Sequence, residues 1–301
     1  MISPPLLKPR DKIGIVATGR KVSINEVEAA KRIFKSWGLE TISTPHLHSN
    51  AHSYLAGTDA ERASDFQSLI NDSEIKAIAC ARGGYGTTRI IDTLDFSALL
   101  TYPKWIIGFS DVTAIHLMLY KLGIKSLHAT MPQLFSNPAS SPSVEALRRS
   151  LTGMSPEIPA LPNRYNKLGK ATAPVIGGNL SLIADSIGTS SDPDTRGKIL
   201  VIEEIDEYMY KVDRMMMQLK RAGKLENLSG LVVGHMTDIK QSELTFGEPI
   251  EQVITSKIEG MNFPVAFNFP IGHENPNLSW VHGSVMTLDV TAEGAALIPV
   301  R

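Results

Sequence analysis

Trp105-Ile106-Ile107-Gly108-Phe109-Ser110-Asp111 decides how this chain is read: an uninterrupted apolar run ends in a glycine, an aromatic ring, a serine and a carboxylate. Such a run is what a strand buried on both faces of a parallel sheet presents. A serine at the end of that strand, with a helix starting behind it, can be held in a tight turn. Its Oγ then projects from the sheet edge and the next amide faces whatever Oγ attacks, which is the logic of a nucleophile elbow. The helix is legible: Val112, Ile115, Leu119 and Leu122 form one stripe and Gly123 can stop it. The elbow pattern wants glycine two residues after the serine, where Val112 stands. Simple capping of the helix by Ser110 is the competing reading.

The same alternation extends outward over the first 135 residues. Ile13 to Ala17 and Ile75 to Ala81 are further apolar runs. Ser23 with Glu26, and Thr58 with Glu61, have capping-box spacing ahead of helical stripes. Strand and helix in steady alternation predict a doubly wound parallel sheet of the flavodoxin or glutamine-amidotransferase kind. Residues 136–170 change character, with Pro138, Pro142, Pro156, Pro159 and Pro162 among serines. They read as a linker around one short helix, with Ser141 as N-cap and Pro142 at the first helical position. Residues 171–301 read as a smaller mixed α/β domain. Its strands are expected at 198–205, 228–233, 265–269, 285–290 and 295–300, and its helices at 208–221 and 249–258.

Composition narrows the functions. The chain has 301 residues, 30 Lys+Arg against 31 Asp+Glu, and one cysteine. Two domains fit that length, and a balanced charge gives no pull toward nucleic acid or anionic lipid. A lone cysteine forms no internal disulfide. No apolar run approaches the roughly 20 residues that span a bilayer, and prolines interrupt the first apolar stretch, so a cytoplasmic protein is expected. Metal chemistry lacks its signatures, HExxH or paired cysteines. Cys80, between Ala79 and Ala81, reads as buried and inert. Met215 to Met217 read as helix packing.

Other residues could join Ser110. Arg82-Gly83-Gly84-Tyr85-Gly86 follows a buried strand and opens on the same carboxyl edge, where such sheets bind ligands. Its glycines could bring amides to an oxyanion, or be a plain flexible turn. A nucleophilic serine needs a base, and the base a carboxylate. Glu203, Glu204, Asp206 and Glu207 close an apolar strand, and strand alternation lets only one of Glu203 and Glu204 face a site. Gly234-His235 and Gly272-His273 compete to supply the base; the other histidines have no comparable setting.

The blocks ARGGYGTTRIID, WIIGFSDVTAIHL, VIGGNLSLIADSIGT, ILVIEEIDEYMYKVDRMMMQL and FPIGHENPNLSWVHGSVMTLDV occur in this order across essentially the whole chain. Together they resemble the LD-carboxypeptidase (muramoyltetrapeptide carboxypeptidase) family of serine peptidases, which includes microcin C immunity proteins. The resemblance implies Ser110 as nucleophile, His273 rather than His235 as base, and Glu203 as third member. It further implies an acyl-enzyme mechanism without a cofactor or metal, a site between the two domains and a homodimer. Amides of Asp111 and Gly84 are expected to hold the oxyanion, and Arg82 and Asn179 to meet the substrate. Murein tetrapeptide is the expected substrate, cut before its terminal D-alanine during peptidoglycan recycling. A peptidyl or aminoacyl nucleotide is the alternative, mildly disfavoured because Tyr165 is the linker's only aromatic. A non-catalytic binder would have no use for all three of Ser110, Glu203 and His273.

Overall fold

The computed structural model describes residues 1–300 of the chain. Thirteen strands form two sheets. The first sheet contains β1 (Lys12–Val16), β2 (Glu40–Ser43), β3 (Ile75–Cys80), β4 (Trp105–Gly108) and β5 (Ser126–His128). In the order β2-β1-β3-β4-β5 these are all parallel, the doubly wound order of flavodoxin-like sheets. Helices α1 (Ile24–Ser36), α2 (Asp59–Asn71), α3 (Ala98–Thr101) and α4 (Thr113–Lys121) connect them. Both capping boxes are formed, Ser23 with Glu26 and Thr58 with Glu61. One face of the sheet buries Ile13, Ile15 and Ile107 under Val27 and Phe34 of α1. The other buries Ile78 and Ile106 under Phe66 and Ile70 of α2 and Ile115 and Leu119 of α4.

The second sheet contains β6 (Ile158–Ala160), β7 (Gly169–Asn179), β8 (Ile199–Ile205), β9 (Gly230–Thr237), β10 (Val265–Ala266), β12 (Val285–Thr291) and β13 (Gly294–Pro299). Its order is β10-β9-β8-β7-β12-β13-β6, parallel from β10 to β7 and antiparallel beyond. Helices α6 (Leu180–Ser186), α7 (Met209–Arg221) and α8 (Ile250–Thr255) cover one face. The methionine run splits as a helix requires, with Met216 buried and Met217 exposed.

Several details depart from the reading of the sequence. β11 (Trp280–His282), from the last third of the chain, pairs antiparallel with β5 and completes the first sheet. The proline-rich stretch holds helix α5 (Ser141–Leu151) and also β6, whose Pro159 is tolerated because the strand lies at a sheet edge. α5 starts one residue earlier than expected: Ser140, not Ser141, occupies the cap position, and Pro142 is the second helical residue. Leu122 lies beyond the end of α4 and is exposed. α4 is apolar nearly all round because it lies between the sheets, Leu117 feeding the second core and Ile115 the first domain's.

The sheets meet at Gly177-Gly178-Asn179, the carboxyl end of β7. A Cβ on Gly177 would come within 2.1 Å of Val201 O, and one on Gly178 within 2.6 Å of Thr113 Oγ1. Asn179 N donates to that hydroxyl at 3.1 Å. Thr113 follows Ser110 by three residues, so this contact presses the second sheet onto the turn that carries the serine.

Candidate active site

Ser110 occupies the left-handed region at φ +60, where a non-glycine residue is strained. Strand β4 ends at Gly108, a tight turn spans Ser110–Val112, and α4 begins at Thr113. The turn closes because Val112 folds back over Gly108, where a built Cβ would be 2.8 Å from Val112 Cγ2. The departure from glycine at position 112 is thereby accommodated: the space it needs comes from Gly108. His116 braces the strand end from behind, its Nε2 donating to Gly108 O at 2.9 Å and its Nδ1 accepting from Ser126 Oγ at 2.8 Å. Burial pushes the His116 imidazole down to about 4, so it is neutral.

The glycine loop lies directly against the serine. A Cβ on Gly83 would stand 3.2 Å from Ser110 Cβ and 3.3 Å from its Oγ, and Gly84 has φ +101. Among the described residues, the amides of Gly84 and Asp111 donate to no backbone carbonyl outside the turn itself. The Asp111 side chain serves the loop. Its Oδ2 accepts from Thr87 N at 2.9 Å and Thr87 Oγ1 at 2.7 Å, while burial raises its pKa against those bonds. Beneath it the buried guanidinium of Arg62 bonds Thr18 O, Gly86 O and Asp59. Arg62 and Thr87 were not legible in the sequence: on a helix stripe Arg62 reads as a solvent-facing residue, and only its total burial reveals the task.

Glu203 and Glu204 divide as strand alternation requires. The register of β8 with β9 shifts between Ile202 and Glu204. Glu203 is fully buried, and its Oε2 accepts from His273 Nδ1 at 2.7 Å. Glu204 Oε1 accepts from Asn179 Nδ2 at 2.9 Å and Oε2 from Ser181 N at 2.8 Å. Asn179, expected to meet the substrate, is engaged within the protein. It is 3 % exposed, caps α6 by accepting from Leu182 N, and bonds Glu204 rather than an open cleft.

His273 follows Gly272, which has φ +124 and whose built Cβ would stand 2.9 Å from Glu203 Oε2. Only glycine lets the loop approach the carboxylate so closely. Burial opposes protonation of His273, but the Glu203 charge and its hydrogen bond outweigh it, with Glu204 adding to them, and raise the imidazole above its ordinary value. With Nδ1 bonded to Glu203, Nε2 is the free ring nitrogen. The ring packs on Phe109 with centroids 4.9 Å apart, one residue from Ser110. No hydrogen bond joins Ser110 Oγ to His273 among the described residues. His235 is close by in a supporting place: its Nδ1 accepts from Glu274 N at 3.1 Å.

Two guanidinium groups stand near the glycine loop. Arg82 Nη1 donates to Lys21 O at 3.1 Å, with burial and Arg20 lowering its pKa. Arg20 lies over the Tyr54 ring at 5.3 Å, and a Cβ on Gly84 would be 2.9 Å from Arg20 Cβ. Cys80 is buried and its thiol is pushed up to about 12 by burial, so it offers no thiolate. None of the described helices is long and apolar enough to cross a membrane.

Comparison with known proteins finds matches to both halves of the chain. Residues 13–129 match the LD-carboxypeptidase N-terminal domain and residues 172–288 the LD-carboxypeptidase C-terminal domain. A Bacillus subtilis protein named "Probable murein peptide carboxypeptidase" is 32 % identical, over 98 % of this chain and 93 % of its own. The muramoyltetrapeptide carboxypeptidase from Oxalobacter formigenes superposes with a TM-score of 0.86 at 28 % identity, covering 96 % of this chain and 99 % of that one. The microcin C7 self-immunity protein of Escherichia coli is 26 % identical over 78 % of this chain and 77 % of its own.

Proposed function

The chain belongs to the LD-carboxypeptidase family of serine peptidases, and from that premise we propose that Ser110, His273 and Glu203 form its catalytic triad. The observation that carries the reading is the 2.7 Å bond between His273 Nδ1 and buried Glu203, on a ring packed against the neighbour of a strained serine. In this reading His273 Nε2 takes the Ser110 proton, and Oγ attacks the carbonyl carbon of the scissile peptide. Glu203 orients the imidazole and stabilises the imidazolium. The amides of Asp111 and Gly84 hold the oxyanion. Collapse breaks the C–N bond, with His273 returning its proton to the leaving amine. Water, deprotonated by the same imidazole, then attacks the acyl-enzyme and restores Ser110.

The proposed substrate is a murein tetrapeptide, cut between the L-centre of its diamino acid and the terminal D-alanine. Such a substrate ends in a carboxylate, and Arg82 and Arg20 supply positive charge near the glycine loop, Arg82 being the guanidinium proposed to receive it. Peptidoglycan recycling follows as the proposed role. A nucleotide-linked substrate is the weaker reading, since it calls for an aromatic to stack on the base. Tyr165 is already engaged, its ring 6.4 Å from Phe267 and covered by Arg164.

Mass spectrometry after incubation with free tetrapeptide, in parallel with an aminoacyl sulfamoyl adenosine, tests the substrate. Loss of D-alanine from the first alone is expected; cleavage of the second alone would transfer the proposal to the nucleotide-linked class. Ser110→Ala should lower kcat by about 10⁴- to 10⁶-fold, the usual effect of removing a nucleophile. Turnover retained in that variant would reject the triad.

A further inference from the structure

His273 lies in the last third of the chain, but its loop is tied to the first domain. Ser140 Oγ donates to Asn275 Oδ1 at 3.0 Å. Asn277 N donates to Ser143 Oγ at 2.8 Å, and the hydroxyls of Ser150 and Ser279 meet at 2.8 Å. Ser143, Ser150, Asn277 and Ser279 are all buried. Helix α5, which carries Ser143 and Ser150, packs Leu147 and Leu151 into the core that holds Phe34 and Ile107. The helix expected to be a connector therefore fastens the histidine loop to the sheet that bears Ser110, whereas Glu203 stands on the other sheet.

Asn277 is the residue through which this fastening reaches the imidazole. Its Oδ1 accepts from Gly272 N at 3.0 Å, immediately before His273, and Leu278 N closes the loop on Pro270 O at 2.8 Å. Gly272 has no free space, since a Cβ there would stand 2.9 Å from Glu203 Oε2. Any shift of its backbone is a shift of His273 against Glu203. The Asn277 Nδ2 group is buried without a hydrogen-bond partner among the described residues. A half-satisfied buried amide is a poor device for stability, and the half that is satisfied holds Gly272.

We propose that Asn277 is a positioning residue for His273, anchored by Ser143 of α5, and that it sets the Gly272–His273 backbone so that one imidazole meets Glu203 and Ser110 together. The proposal rests on the triad reading for its effect on rate.

Three full-length variants test it: Asn277→Ala, Asn277→Asp, which keeps the oxygen acceptor, and Ser143→Ala. The readouts are kcat and KM on tetrapeptide, the rate at which a fluorophosphonate labels Ser110, and the titration of His273 followed by NMR without substrate. Asn277→Ala should lower kcat by about 10- to 100-fold with KM within about 3-fold, because small misplacements of a catalytic group cost roughly that much. Labelling should slow in step, and the His273 titration should fall toward the ordinary histidine value. Asn277→Asp should regain most of the lost kcat, and Ser143→Ala should lose about 3- to 10-fold, having lost an anchor at one remove. Parental kcat and labelling in Asn277→Ala would overturn the proposal. So would equal losses in Asn277→Ala and Asn277→Asp with the His273 titration unmoved. If instead Ser110→Ala or His273→Ala retained turnover, the triad reading would fail by itself, and the His273 titration in Asn277→Ala would still decide whether Asn277 positions that ring.

Discussion

At the residue scale, Ser110 holds two opposed properties: a reactive position and an unfavourable backbone. Its φ of +60 suits glycine better than serine. Ser110→Gly should therefore raise stability by about 1 kcal/mol, the strain of one left-handed residue, while abolishing turnover. Urea unfolding beside an activity assay checks both halves, and a Ser110→Gly protein that is less stable than its parent would contradict the strain. His273 supplies the pH dependence. As the proposed base it must be neutral, and Glu203 raises its pKa against the effect of burial. The acid limb of kcat/KM, which reports the free enzyme, should lie above the ordinary histidine value of about 6.5. Glu203→Gln removes the charge and should move that limb downward, besides lowering kcat; a limb that stays in place would detach Glu203 from the base. Stability runs the other way: the protonated pair stabilises the fold below the ordinary value, and that contribution disappears as pH rises through the raised folded value.

At the element scale, β7 joins the two halves and tolerates no side chain where it does so. Gly177→Ala would place a methyl group 2.1 Å from Val201 O, at a residue with φ +118. Overpacking and backbone strain together should cost roughly 3–5 kcal/mol, read as a lower urea midpoint. A Gly177→Ala protein with parental stability would mean that β7 and β8 can separate without loss. Strands β1, β3, β4 and β8 were disclosed by unbroken apolar runs, because burial on both faces leaves no alternation to blur, and β9, β10, β12 and β13 lie close to the apolar segments expected to be strands. β5 and β11 escaped notice for a physical reason. Ser126, His128 and His282 are fully buried, yet in a hydropathy pattern they count as polar. The eleven-residue β7 was not legible as a strand, since its first residues are mostly exposed and only its second half is apolar and buried. The proposed site was legible where its chemistry demands particular side chains, at Ser110, Glu203 and His273. It was illegible where support comes from generic ones: Arg62, Ser143 and Asn277 reveal themselves only through what they touch.

At the scale of the whole molecule, the polar groups buried at the join between the sheets should govern its response to acid. His116 of α4, His128 of β5 and His282 of β11 are all fully buried. They stack with Trp280: His116 on His282 at 5.6 Å, Trp280 on His282 at 5.4 Å and His128 on Trp280 at 5.1 Å. Burial holds His116 at about 4 and the other two well below the ordinary histidine value, each imidazole also opposing charge on its neighbours. Facing them are Gly108 O and Ser126 Oγ against His116, the Gly177 amide against His282, Tyr120 edge-on to His282, and His273 across Phe109. None of these is a carboxylate that would favour an imidazolium. With folded pKa values depressed, the unfolded chain binds the extra protons, so the contribution of these three histidines is complete above about pH 6.5 and declines as pH falls below it. Each histidine should contribute a slope of about 1.4 kcal/mol per pH unit there, and the three together about 4 kcal/mol per unit at the limit. Because β11 brings His282 and Trp280 from the far end of the chain into the first sheet, where the Gly177 amide of β7 donates to His282, protonation loosens that contact between the sheets. Calorimetry at one ionic strength from pH 8 to pH 5 should show a modest rise in Tm toward about 6.5 as His273 protonates beside Glu203, and then a steep fall as the three buried imidazoles oppose protonation. His282→Gln, uncharged across that range, should make the fall shallower by about one proton. An unchanged slope in that variant would assign the acid sensitivity to other groups.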